Sequence, residues 1–152
     1  MKVETYLKSQ GAAFQTHEHP PAYTAQEVAA EEHVSGKVLA KTGLIQADGK
    51  YALCVLQAHR KLDMAKVARA LGARMARLAD EQELSERFPD VEVGAEPPFG
   101  NLYSLPTLVD EHLAGAREII FQAGTHRQVI RMKYADYAAL SKPMSCDLVA
   151  QE

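Results

Sequence analysis

The chain has 152 residues, 47% of them hydrophobic, which is enough for one well-buried core and too little for two ordinary domains. Its 17 Lys and Arg residues and 20 Asp and Glu residues give a net charge of −3 with neutral histidines, which excludes a global positive field that would attract nucleic acid or a membrane surface. We therefore expect one domain over residues 1–152, in which any RNA contact is a local basic patch.

The start of the chain and its cysteines favour a cytoplasmic protein. The first residues carry charges where a signal peptide would be apolar, and no segment approaches the roughly 20 apolar residues of a membrane span. Cys54 lies in an apolar run and has no Cys-x-x-Cys spacing to Cys146. We expect Cys54 to be a reduced, buried thiol, and we expect no membrane or DNA partner.

The first third of the chain predicts two helices separated by a short strand. Apolar side chains near the N-terminus have helical spacing and predict a helix over residues 2–10, followed by a strand over 13–17. Thr24 and Glu27 form a capping-box pattern, which predicts a second helix over 25–33.

A β-hairpin should follow. Asp48-Gly49 supplies the positive φ angles of a tight turn, and it separates apolar runs at 38–47 and 51–57. The hairpin places Lys41 on a strand.

The rest of the chain alternates between helices and strands. The patterns predict a helix over 62–71, capped by Asp63 and closed at Gly72, a strand over 74–78 and a helix over 80–88 capped by Asp80. They then predict an extended segment over 102–109, a second hairpin with strands over 118–122 and 129–133, and a closing helix over 134–140. Because hairpins occur among the alternating elements, we expect a mixed α/β or α+β fold.

Lys41 is the most informative residue of the chain. A lone ammonium in an apolar run is costly to bury and is usually retained for an anionic partner or a function. Thr42 and Gly43 interrupt the apolar pattern beside it, and a glycine in a strand often marks close approach by a ligand or another backbone. As a point charge, lysine suits a phosphate or a developing oxyanion. The alternative is an edge lysine with its head in water.

The segment Gly94 to Gly100 is a second candidate. Pro97-Pro98 stiffens its middle, and the glycine at each end allows backbone to approach a bound group, which suits a loop that holds main-chain N–H donors at one point. The alternative is an ordinary surface connection.

The histidines give weaker signals. His17 and His19 share one face of a strand, but a zinc site needs at least a third ligand, and no cysteine or histidine has a recognisable spacing to supply it. We expect no metal and no cofactor. His126, in a turn between two strands, is either a functional residue or a plain polar hairpin residue. The sequence also lacks nucleophile-elbow, phosphate-loop and His-Glu-x-x-His motifs, so nucleophilic and nucleotide-hydrolysing functions lose support.

With these residues in hand, the chain resembles the aminoacyl-tRNA editing family of YbaK-type deacylases, free-standing prolyl-tRNA editing proteins and the insertion domain of bacterial prolyl-tRNA synthetase. The matching motifs, in family order, are His19-Pro20, the helix start at 24–30, Ala40-Lys41-Thr42, Leu62-Asp63, Gly94-x-x-x-Pro98-Phe99-Gly100, Leu105 to Asp110, and Ala123-Gly124. The resemblance implies a mixed α/β fold around a mostly antiparallel, barrel-like sheet surrounded by helices.

The resemblance also implies an activity, hydrolysis of the ester in a mischarged tRNA. It makes Lys41, Gly94 and Pro98 the catalytic candidates. The implied substrate-binding residues are His17, Thr42, Phe99, Gly100, Gly124, His126 and Ile130. An aminoacyl ester is already activated, so positioned water and a stabilised oxyanion suffice without a nucleophilic side chain. We expect N–H groups near Gly94 to hold the carbonyl oxygen.

The substrate is less sharply indicated. Cysteine-specific relatives have a tyrosine near the position of His17 and an aspartate near that of Ile130, so these departures favour alanine on proline tRNA, with serine, threonine and other small residues left open. The expected partners are mischarged tRNA and an aminoacyl-tRNA synthetase. Candidate tRNA contacts are Arg60, Lys61, Arg127, Arg131 and Lys133. The alternatives are a synthetase-associated binding module without catalysis and a small-ester hydrolase unrelated to tRNA.

Overall fold

The computed structural model describes residues 2–20 and 39–151; the helix expected over 25–33 lies outside these ranges. The described helices are α1 (Lys2–Ser9), α2 (Met64–Leu71), α3 (Glu81–Arg87) and α4 (Tyr134–Ser141). The described strands are β1 (Phe14–Glu18), β2 (Ala40–Ala47), β3 (Lys50–Gln57), β4 (Ala76–Leu78), β5 (Thr107–Asp110), β6 (Glu118–Gln122), β7 (Gln128–Lys133) and β8 (Met144–Cys146). None of these helices has the length and apolar character needed to cross a membrane.

The described strands form two sheets. Three strands pair antiparallel in the order β1-β7-β6, and five strands pair in the order β4-β2-β3-β5-β8. In the larger sheet β5 runs parallel to both β3 and β8, while β2 is antiparallel to β3 and β4. A parallel bridge between Leu39 and Ile120 joins the two sheets. The prediction of a mixed, mostly antiparallel α/β fold is confirmed, with two joined sheets at its centre.

The predicted local signals form the expected elements. Asp48 and Gly49 have φ angles of +50° and +82°, and the turn aligns Ala47 with Lys50, so the predicted hairpin is confirmed. The carboxylate of Asp63 accepts the N–H groups of the first turn of α2, which ends at Gly72 in the left-handed region.

The prediction of an extended segment over 102–109 was partly wrong. Residues Gly100–Tyr103 form a 3-10 helix, and only Thr107–Asp110 is a strand. The Leu105 N–H donates to the Gly100 carbonyl at 2.9 Å, so this local bond takes the donor that a longer strand would need. Strand β8 was not predicted, because its three residues are too short to show a pattern and its pairing comes from distant β5.

Two apolar layers cover the larger sheet. One contains Phe99, Phe121 and Tyr137 between the two sheets, and the other packs Val67 of α2 against the opposite face. Cys54 belongs to the second layer and is fully buried, as predicted. Burial raises the pKa of the Cys54 thiol to about 12, so it is a neutral packing group.

We predict that Asp63→Ala lowers the free energy of unfolding by about 1 kcal/mol, because the Ala65 and Lys66 N–H groups lose their cap. The effect is measured by urea denaturation. Glu81→Ala, an exposed change on α3, is the control and should shift stability by less than about 0.5 kcal/mol. Equal stability of wild type and Asp63→Ala would contradict the prediction.

Candidate functional site

Two main-chain hydrogen bonds between two loops hold the candidate site together, and we call them the loop pairing. The Glu92 N–H donates to the Gly124 carbonyl, and the Gly124 N–H donates to the Ala95 carbonyl, each at 2.9 Å. Gly124 has a φ of +95°, a conformation that favours glycine. The pairing holds the start of the Gly94–Gly100 loop against the β6–β7 connection and brings Gly124 into the site.

His126 packs against the same loop from the β6–β7 side. Its main-chain N–H donates to a carboxylate oxygen of Glu92, and its ring Nε2 lies 2.8 Å from the Val93 carbonyl oxygen. Because a carbonyl oxygen only accepts, Nε2 carries the hydrogen of this bond. A Cβ atom at Gly94 would lie 3.3 Å from Cε1 of the ring. These contacts position the loop backbone, and a contact of His126 with substrate stays a prediction.

Glu96 places a buried carboxyl group in the middle of this arrangement. The residue is 6% exposed, and its Oε2 accepts the Gly94 N–H at 2.8 Å. Burial raises the pKa of Glu96 above its ordinary value, while the main-chain N–H groups of Gly94 and Glu96 and the nearby His126 partly offset that shift. Sequence reasoning missed this residue; the available signal was the single charged residue of the Gly94–Gly100 loop.

The main-chain donors of the loop are largely engaged within the protein. Two are held inside the loop region, Gly94 by Glu96 Oε2 and Ala95 by the Glu92 carbonyl. Two more follow the prolines: Phe99 donates to the Pro97 carbonyl and Gly100 to Thr107 Oγ1. For the Gly94 N–H to hold a substrate oxygen, as the sequence predicts, the substrate must therefore replace the Glu96 carboxylate.

Lys41 and Thr42 lie side by side at the start of β2. The Thr42 hydroxyl donates to the Glu96 carbonyl at 3.1 Å, which ties the strand to the loop. Successive side chains on a strand project to opposite faces, so Lys41 shares the face of Gly43. A Cβ atom at Gly43 would lie 3.1 Å from Leu62 Cδ1, so the close approach expected there is made by a leucine side chain of the protein itself.

The ammonium of Lys41 has a second cation as its neighbour. Partial burial lowers the pKa of Lys41, and the charge of the exposed Lys61 lowers it further. Within residues 2–20 and 39–151, neither lysine forms a hydrogen bond or ion pair with a carboxylate. Two neighbouring ammonium groups without an acidic partner favour the binding of an anion.

Four of the expected site residues are buried in the protein interior. The Tyr137 hydroxyl donates to the Pro98 carbonyl at 2.8 Å, and both Phe99 and Ile130 are fully buried in the core between the sheets. A Cβ atom at Gly100 would lie 2.5 Å from Thr107 Oγ1, so internal packing requires glycine there. These residues support the loop, and their contact with substrate stays a prediction.

His17 and the basic candidates lie on other elements. His17 is partly buried on β1, opposite Val129 of β7. The basic candidates divide between the segment after β3, where Arg60 donates to the Ala150 carbonyl, and the region of β7, where Arg131 lies 3.9 Å from Glu118. In the described part of the chain, no group of three or more His, Cys, Asp or Glu side chains is arranged to hold a metal ion.

A family comparison identifies the domain. The model of the aminoacyl-tRNA editing domain matches residues 19–140, which include the Lys41 strand, the Gly94–Gly100 loop and His126. The chain belongs to the aminoacyl-tRNA editing domain family. The resemblance seen in the sequence motifs is thereby confirmed.

Solved structures agree with this assignment. The editing domain is similar to a protein described as a proposed trans-editing enzyme for prolyl-tRNA synthetase, with 26% identity and a TM-score of 0.87 over 99% of this chain and 96% of that chain. A hypothetical protein shares the fold at 21% identity, with a TM-score of 0.89 over 99% of this chain and 100% of that one. The fold also occurs in a protein of Marinobacter aquaeolei described as a proposed signal transduction protein, at 16% identity and a TM-score of 0.75, where it spans 30% of that chain.

We predict that Glu96→Gln makes the editing domain more stable at pH 7. Because the folded state raises the pKa of Glu96, the stability that this group contributes is fully present below its unfolded pKa and is lost as the pH rises through the folded value. Glutamine keeps an oxygen for the Gly94 N–H without a charge to bury. The thermal midpoint at pH 7 should rise by about 2–4 °C.

The advantage of Glu96→Gln should shrink as the pH falls toward 4, and calorimetry over this range measures it. Glu86→Gln, an exposed change on α3, is the matched control. A variant that is less stable than wild type at pH 7 would show that the carboxylate is a net stabilising group.

Proposed function

We propose that this editing domain is a trans-acting aminoacyl-tRNA deacylase, which hydrolyses the ester between a wrong amino acid and the terminal adenosine of a tRNA. The observation that carries the proposal is the pair of neighbouring ammonium groups at Lys41 and Lys61. Lys41 lies on β2, the strand that the Thr42 hydroxyl links to the Gly94–Gly100 loop. A tRNA acceptor end offers such a site both phosphate anions and an activated ester.

The chemistry of the substrate fits the residues at the site. An aminoacyl ester is activated, so hydrolysis needs an oriented water and donors for the developing oxyanion. The Cys54 thiol is buried and neutral, so it is a poor nucleophile. A mechanism in which positioned water attacks directly agrees with the absence of a nucleophile motif in the sequence.

Each candidate residue has a role in this mechanism. Lys41 binds the terminal nucleotide or the developing charge, and Lys61 adds to the local positive field. The Gly94 N–H holds the carbonyl oxygen after the Glu96 carboxylate releases it, while Pro98 keeps the loop rigid. Water oriented by the ribose hydroxyl of the substrate attacks the carbonyl carbon.

The remaining candidates shape the pocket. His126 positions the start of the loop, and Thr42, Gly124, Phe99 and Gly100 hold the loop in place. We propose that His17 and Ile130 influence which amino acid the site accepts. Editing is needed because one methylene changes binding by only about 1–3 kcal/mol, too little for a synthetase to reject every smaller amino acid. Alanine on proline tRNA is the proposed substrate, and action with a synthetase in the cytoplasm is the proposed setting.

The first test is Lys41→Ala. We expect a loss of at least about 100-fold in kcat/KM for deacylation, since Lys41 is the partly buried ammonium of the Lys41–Lys61 pair. Single-turnover hydrolysis of Ala-tRNA(Pro) measures the rate. Lys50→Ala, an exposed change at the far end of the hairpin, should leave the rate unchanged. An unchanged rate in Lys41→Ala would rule out the mechanism, and binding without turnover by wild type would favour the alternative, a non-catalytic binding module.

The second test compares amino acids. We expect Ala-tRNA(Pro) to be hydrolysed faster than Cys- or Ser-charged tRNA, because His17 and Ile130 differ from the residues of the cysteine-specific relatives. Parallel deacylation assays with the three charged tRNAs measure the preference. A preference for the cysteinyl ester would overturn the proposed ranking while leaving the deacylase activity intact.

A further inference from the structure

Glu96 is a buried carboxyl group on the loop of the candidate site, with His126 nearby. It is 6% exposed, and in the described part of the chain no Lys or Arg forms an ion pair with it. A buried carboxylate is costly unless it is paired and hydrogen-bonded. Its hydrogen bonds come from the main-chain N–H groups of Gly94 and of Glu96 itself, which are neutral donors, so no lysine or arginine of the described residues donates to this carboxylate.

The position of this carboxyl group is well defined. The Thr42 hydroxyl donates to the Glu96 carbonyl, the Ala95 carbonyl accepts the Gly124 N–H, and Pro97 follows directly. His126 holds the loop on the other side through the Val93 carbonyl. The carboxyl group is therefore presented by a rigid frame, which a binding group requires.

The Gly94 N–H and the Glu96 carboxylate place a donor and an acceptor side by side, as the binding of an α-amino ester requires. A main-chain N–H and a carboxylate oxygen lie 2.8 Å apart. An α-amino ester carries the complementary pair on adjacent carbons, namely a carbonyl oxygen that accepts and an ammonium group that donates. A substrate can replace the internal bond with two bonds of its own, one of them charge-assisted.

We propose that Glu96 binds the α-ammonium group of the aminoacyl ester while the Gly94 N–H binds its carbonyl oxygen, so that the site selects esters with a free α-amino group. This inference rests on the proposed function and identifies the α-ammonium group as the part of the substrate that the site recognises. Esters whose amino group is acylated, as in peptidyl-tRNA, lack the positive charge and are excluded. Glu96 thereby confines hydrolysis to aminoacyl esters.

The test compares Ala-tRNA with N-acetyl-Ala-tRNA, using wild type, Glu96→Gln and the exposed control Glu86→Gln. Wild type and Glu86→Gln should hydrolyse Ala-tRNA at least about tenfold faster than the acetylated ester. Glu96→Gln should lower kcat/KM for Ala-tRNA by about 10- to 100-fold, the effect of losing a charge-assisted bond, and leave hydrolysis of the acetylated ester unchanged. The thermal midpoint of each variant establishes that it is folded.

Two results would overturn the assignment: equal hydrolysis of both esters by wild type, or an equal loss on both esters in Glu96→Gln. If wild type hydrolyses neither ester, the proposed function fails, and binding then decides about Glu96 separately. Non-hydrolysable 3′-amide analogues of alanyl-adenosine, with free and acetylated amino groups, are the probes. Weaker binding of the free-amino analogue alone to Glu96→Gln supports the assignment, and equal changes for both analogues reject it.

Discussion

The candidate site depends on the pairing between the Gly94–Gly100 loop and Gly124. Two main-chain hydrogen bonds hold the start of the loop against the β6–β7 connection, and the rest of the site is built on that frame. His126 fills the space beside Gly94, and Thr42 reaches across from β2 to the Glu96 carbonyl. Without the pairing, the His126 ring, the Thr42 hydroxyl and the Glu96 carboxyl group, which come from three distant segments, would not be held together.

The frame has a hydrophobic support. Phe99 lies within an edge-to-face cluster with Phe121 and Tyr137, whose ring centroids are 5.7 and 5.1 Å from its own. The Tyr137 hydroxyl also holds the Pro98 carbonyl. The loop is therefore fixed at its start by hydrogen bonds and at its end by packing, and a loop fixed at both ends can present Glu96 at a defined point.

Among the described residues, Lys41 and Lys61 have no carboxylate partner and Glu96 has no lysine or arginine partner. Lys41 and Lys61 offer positive charge near the start of β2, and Glu96 offers a buried carboxyl group on the loop. An aminoacyl-tRNA end carries phosphates and an ammonium group, so the proposed substrate supplies both missing partners. The cost of these charges in the free protein is a reason to connect them with binding, because folding alone does not require them.

The sequence by itself determined the local elements and the family. Asp48-Gly49, Asp63, Gly72 and Asp80 act through hydrogen bonds or backbone angles within a few residues, so their effects are readable from the chain alone. The ordered motifs around Lys41 and Gly94 likewise identified the editing family, which the match to residues 19–140 confirms.

Only the tertiary structure decided how the site is arranged. The pairing of β8 with β5 and the burial of Ile130 depend on partners far away in the chain. The same holds for Glu96, whose importance follows from its burial and from the Gly94 N–H that it accepts. Burial and long-range hydrogen bonds arise when distant segments meet, and no local pattern of residues specifies where they do.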